Sequence, residues 1–128
     1  MKLLLEVKFE FDPSTLSGTI VTVPAGVTEK NALLSFYAVT FYFPGYFGYN
    51  WDALYDCLRD LGDWHPEGQT FSILHQDIPL ISSVHDVKAY LKVLYFALAE
   101  PGSLIKHVVF RPTDYVVVQS LLDRFDEN

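Results

Sequence analysis

The chain reads as an α/β protein with a short, mainly parallel sheet covered by helices. Two observations predict this. From about Thr19 to Phe110, apolar runs of strand length alternate with stretches of helical periodicity, in the order strand, helix, helix, strand, helix, strand. Strands joined through helices return to the same end of a sheet, so they pair parallel. The 128 residues, half of them hydrophobic and 16% aromatic, suffice for one domain with one core and are too rich in rings for a disordered chain.

The elements follow in order. Leu3, Leu5, Val7, Phe9 and Phe11 alternate with Glu6, Lys8 and Glu10, the period of a half-buried strand, until Asp12-Pro13-Ser14 breaks it. Thr19 to Val23 is a β-branched run closed by Pro24 and Gly26. It is a candidate to pair with the first strand as a hairpin, although the connection lacks a strong two-residue turn signal. Thr28 is the expected N-cap of a helix that buries Leu33, Leu34, Tyr37 and Ala38 and ends before Pro44-Gly45. A second helix spans about Asn50 to Leu61, and Asp63 to Gly68 forms a loop. Thr70 to Leu74 is a short strand, and Asp77 to Ser83 is irregular around Pro79. Val84 to Ala99 is the longest helical pattern, stopped by Pro101-Gly102. His107 to Phe110 is a strand. Val116 to Phe125 is ambiguous, because Val116-Val117-Val118 favours strand and Ser120 to Phe125 favours a terminal helix.

Composition limits the function. The formal charge of -7 argues against binding a phosphate backbone directly and favours a positively charged partner. Leu3-Leu4-Leu5 is too short for a signal peptide, and no apolar run approaches a membrane span. One cysteine, Cys57, excludes an internal disulfide framework. A protein of the reducing cytoplasm is the expectation. His65, His75, His85 and His107 are widely spaced without a ligand motif, so surface or capping roles are expected and no metal or cofactor is implied.

The most informative stretch runs from Tyr46 to Leu58, a tight loop feeding a helix. On that helix Trp51, Leu54, Leu58 and Leu61 share one stripe, flanked by Ala53 and Cys57, and should face the core. Asp52, Tyr55, Asp56 and Arg59 fall on the other side at i, i+3, i+4 and i+7. The plain reading is a solvated helix face, with Asp52 in the first turn favoured by the helix dipole and Asp56 paired with Arg59 or hydrated. A displayed tyrosine favours an interface instead. The loop holds Phe41, Tyr42, Phe43, Tyr46, Phe47 and Tyr49, too many rings to bury together. Tyr46 and Tyr49 are the expected exposed ones. Gly48 can take a positive φ that other residues resist.

Other chemistries fit less well. Two carboxylates could serve glycoside hydrolysis, but neighbours on one exposed face define no cleft. Ser72, His75, Asp77 and Cys57 could be imagined as a nucleophilic site, yet they lie on different elements with no nucleophile-elbow signature. An enzyme is therefore not expected.

The run from Phe43 to Leu58 resembles the signature of the barstar family of intracellular ribonuclease inhibitors: an aromatic pair, Gly, any residue, Asn, any residue, Asp-Ala-Leu, an aromatic, Asp-Cys-Leu. The resemblance implies a three-layer fold over one domain, residues 1–128. The core would span about 19–111, with an extra N-terminal strand (1–18) and a C-terminal extension (112–128). It implies a partner-binding set of Tyr46, Tyr49, Asn50, Asp52, Tyr55, Asp56 and Arg59. These would block the basic groove of a nuclease or nuclease toxin, as an immunity protein does. Three departures stand out: the cation of Arg59 beside the aspartates, the loop Asp60 to Trp64, and Tyr95-Phe96-Ala97 where the family has an additional acidic contact. They point to a target other than the usual one. The alternative is a module that kept the fold, lost nuclease inhibition and binds another protein.

Overall fold

The computed structural model describes residues 8–123. Its elements are β1 (Thr19–Val23), α1 (Lys30–Thr40), α2 (Trp51–Arg59), β2 (Phe71–His75), α3 (Val84–Ala99), β3 (Ile105–Val109) and α4 (Tyr115–Asp123), with 3-10 turns at Pro13–Thr15, Leu61–Asp63 and Pro112–Asp114. The sheet order is β1-β2-β3 and every pair is parallel. This is the α/β order expected from the periodicity, and α3 has the expected limits.

Central β2 is covered on both faces, with Phe71, Ser72, Ile73 and His75 all buried. Such a strand must be nearly continuous in apolar character, as buried parallel strands are. Leu33, Leu34 and Tyr37 of α1, Leu54 and Leu58 of α2, and Val87, Leu91 and Leu94 of α3 close the core around it. Phe9 at one end of the chain and Val118, Leu121 and Leu122 of α4 join the same cluster. The ambiguous segment is thus helical. Residues at i, i+3 and i+4 reach the core together, and that burial outweighs the strand propensity of three consecutive valines, of which Val116 and Val117 stay exposed.

Three expectations are corrected. Among the described residues, the N-terminal segment does not pair with β1 as a hairpin would. Residues 1–7 of the expected strand lie outside the described residues. Lys8 and Phe9 are not in a strand, and Glu10 makes an isolated parallel bridge to Val109. Its N–H donates to Val108 O at 2.9 Å, and its carbonyl accepts from Phe110 N–H at 2.9 Å. That places the chain beside β3, at the far edge from β1, whose inner edge β2 already occupies. Second, Glu29 rather than Thr28 occupies the N-cap of α1, and its side chain makes no capping bond. Third, His75 is a core residue, not a surface one.

His75 sits in a buried chain of polar groups. Its Nδ1 lies 3.0 Å from Val109 O, its Nε2 lies 2.7 Å from Tyr90 Oη, and Tyr90 Oη lies 2.6 Å from Tyr37 Oη. A carbonyl only accepts, so Nδ1 carries the proton. Nε2 then accepts from Tyr90, and Tyr90 accepts from Tyr37. Phe110 stacks on the imidazole with centroids 4.0 Å apart. Burial holds His75 down at about 4, against smaller upward pulls from the Val109 carbonyl and Asp114.

Gly18 enters β1 with φ +68, and a Cβ there would stand 2.3 Å from Thr70 Oγ1 and 2.6 Å from Thr70 O. The Thr70 carbonyl cannot withdraw, because Thr19 N–H donates to it at 2.8 Å. Gly18→Ala is expected to cost on the order of 2 kcal/mol or more in chemical denaturation.

Candidate functional site

The site is built where the loop after α1 meets α2. Asn50 adopts an extended backbone, and its Oδ1 accepts from Ala53 N–H at 2.8 Å, capping α2. Its Nδ2 donates to Gly48 O at 3.3 Å. Asn50 is therefore a scaffold for the helix start as well as a candidate contact. Gly48 does not use its freedom to take a positive φ; Tyr49 adopts one, with φ 52. Gly48 is instead crowded, since a Cβ there would lie 3.3 Å from Asn50 Nδ2.

The loop is held by its rings. Phe41 stacks on Tyr37, and Phe43 packs on Phe47 at 4.9 Å and edge-on against Trp64 at 6.2 Å. The Phe41 carbonyl accepts from Trp64 Nε1–H at 3.0 Å and lies 2.8 Å from His65 Nε2. Phe41 and Phe47 are buried, whereas Tyr46 is 79% exposed and Tyr49 is 50% exposed. Tyr42 is also exposed, at 76%, and was not expected. The signal was present: continuing the stripe of Leu33, Leu34 and Tyr37 by one turn puts Phe41 inside and Tyr42 outside.

On α2, Leu54, Cys57 and Leu58 face inward, and Asp52, Asp56 and Arg59 are exposed. Asp52 forms no ion pair among the described residues. Arg59 turns toward Asp60, with Nε 3.0 Å and Nη2 3.3 Å from its carboxylate oxygens, while Asp56 lies 3.5 Å from Nη1. Most of the guanidinium's bonding thus goes to Asp60, and Asp56 keeps an open flank. The Arg59 guanidinium also lies 5.5 Å from the Tyr55 ring centre.

Tyr55 is partly buried, and its hydroxyl donates to Glu100 at the end of α3. That bond raises its pKa, with burial adding to the effect. Tyr55 therefore offers a ring edge rather than a free hydroxyl. Glu100 was missed by sequence reasoning, which looked for a carboxylate at Tyr95-Phe96-Ala97. It lies one turn beyond Phe96, a spacing that could have revealed it. Between α2 and α3 a groove of about 360 Å³ is lined by Trp51, Asp52, Tyr55, Lys92 and Phe96.

The rival chemistries are not assembled. Ser72 Oγ donates to Ser17 O at 2.7 Å, and the His75 ring is engaged by Tyr90 and Val109. Cys57 is buried, with its thiol pKa pushed up by burial and by Asp56 and Asp60, so it stays protonated. No three metal-ligating side chains gather among the described residues. No helix among them is long and apolar enough to cross a membrane.

Comparison with known proteins agrees with the motif. The model of the family described as Barstar (barnase inhibitor) matches residues 19–103. Searches of curated proteins and of solved structures returned no match. The matched span takes in β1 through α3, including the loop and α2, and on it the chain belongs to the barstar family, a family of ribonuclease inhibitors.

Proposed function

We propose that this chain is an immunity-type inhibitor that blocks the basic substrate groove of a ribonuclease or nuclease toxin and performs no chemistry itself. The observation that carries this is the outward pair Asp52 and Asp56 on a capped helix, with Arg59 drawn aside by Asp60. A nuclease binds RNA phosphates with Arg, Lys or His. Carboxylates fixed on a rigid helix can bond those same cations. Tyr46 and Tyr49, exposed on the loop that leads into α2, would supply apolar area with few rotors to freeze. Asn50 sets the helix start, Tyr55 floors the groove and Arg59 limits which cation can approach. Phe96, in place of a carboxylate, favours a target other than the one usual in the family.

Affinity capture from cell lysate, read by mass spectrometry, tests this. The wild-type chain should retain a basic nuclease that Asp56→Lys fails to retain. Equal capture by both would refute the acid-face reading and favour a different binding surface.

Tyr49 gives a second check. A tyrosine at φ 52 is strained, by about 1–2 kcal/mol relative to glycine. Tyr49→Gly is expected to leave the melting temperature unchanged or raised while weakening partner affinity several-fold. A drop in both would mean that the ring serves folding, not contact.

A further inference from the structure

Among the described residues, the outer edge of β1 is open. Thr19 N–H donates to Thr70 O and Val23 O accepts from Gln76 N–H, so residues 19, 21 and 23 bond inward to β2. Strand alternation then turns the N–H and C=O groups of Ile20 and Thr22 outward. Among the described residues no strand pairs with that edge. Ile20 is 51% exposed, and beside it lies a groove of about 470 Å³ bounded by Tyr42, Thr40, Pro66 and Gln69. Edge strands are usually protected by a charge, a proline or a bulge within the strand. The sequence Thr-Ile-Val-Thr-Val has none of these.

We infer that this edge pairs with the same edge of a second copy of the chain. Two features select that occupant. The first is charge. Each chain carries -7, so two copies meet most easily where neither presents a carboxylate. The strand and the groove lining are uncharged apart from His65, whose ring is held at the Phe41 carbonyl. A basic partner finds no attraction there. The second is self-complementarity. An antiparallel pair about a two-fold axis at Val21 sets Ile20 opposite Thr22 of the other copy, and Thr22 opposite its Ile20. Every outward group is then used, in about four hydrogen bonds, and the two three-stranded sheets become continuous. Ile20 gains apolar cover from its symmetry mate across the diagonal. This inference does not depend on the nuclease-binding reading.

Sedimentation velocity of the full chain from micromolar to millimolar concentration tests it, together with amide hydrogen exchange. Wild-type should pass from monomer to dimer as concentration rises, with the Ile20 and Thr22 amides becoming protected over the same range. Ile20→Lys, at an exposed position, should remain folded by circular dichroism and stay monomeric. Asp56→Lys should dimerise as wild-type does. A chain that is monomeric throughout would overturn the inference. So would a dimer that survives Ile20→Lys, or one in which the Ile20 and Thr22 amides still exchange freely.

Discussion

Acidification from pH 6.5 toward 4 is expected to remove on the order of 3 kcal/mol of folding stability through His75 alone. The sign follows from where the proton binds. In the unfolded chain the imidazole takes a proton near its ordinary value of 6.5, whereas in the folded chain it resists until about 4. Between those limits the unfolded state binds more protons, so stability falls as pH falls. Above 6.5 the contribution is complete. The structure explains the resistance. A proton on Nε2 must point at Tyr90 Oη, which then has to turn its own proton toward Tyr37. The Tyr37 hydroxyl is left with no acceptor among the described residues, inside a core where a lone polar group costs about 1–3 kcal/mol. The measurement is urea denaturation across this range, comparing wild-type with His75→Gln, whose amide keeps a donor and an acceptor but does not titrate. The wild-type advantage should shrink as pH falls. Parallel curves would show that His75 does not titrate within the fold.

Reversing the charge at Asp56 should weaken binding to the partner by on the order of 100-fold or more, with little change in stability. Barstar with its nuclease is itself a type case of such an interface, so this is the general range for a charged hot spot and not a value specific to the present pair. Asp56 is exposed, and the one ion pair it makes among the described residues, to Arg59 at 3.5 Å, is longer than the contacts Arg59 makes with Asp60. Losing an exposed pair of this kind costs the fold little. A cation at the same place would face the basic groove directly and leave its Arg or Lys unpaired. Titration calorimetry against the captured nuclease, with thermal melts of the free variant, separates the two effects.

The sequence carried some of this structure openly and hid the rest. Val84 to Ala99 was legible to the residue, because its apolar positions keep helical spacing until Pro101-Gly102 stops them, and the structure adds the Ser83 cap at its start. The acid face of α2 was legible for the same reason: Asp52, Tyr55, Asp56 and Arg59 at i, i+3, i+4 and i+7 share one side of a helix, while its cap at Asn50 came from the structure. What stayed hidden was set by contacts distant in sequence. His75 ends an apolar strand and looks like a boundary residue, but Tyr90 and Tyr37 reach it from two helices. The edge beside which Glu10 lies is decided by β3, almost a hundred residues on. Glu100 adjoins the candidate site because α2 and α3 pack together, which brings its carboxylate to Tyr55. The positive φ falls on Tyr49 rather than Gly48, and Asn50 bonds back to the Gly48 carbonyl, a side-chain contact that residue type alone does not foretell.

The nuclease-decoy reading rests on opposite charges meeting across a rigid face, and association kinetics probe that most directly. The rate constant for binding the captured nuclease should fall steeply as ionic strength rises from low salt through the physiological range, while the dissociation rate changes little. Asp52→Asn with Asp56→Asn should flatten that dependence. An association rate indifferent to salt in the wild-type chain, or one equally steep after both aspartates are neutralised, would contradict it.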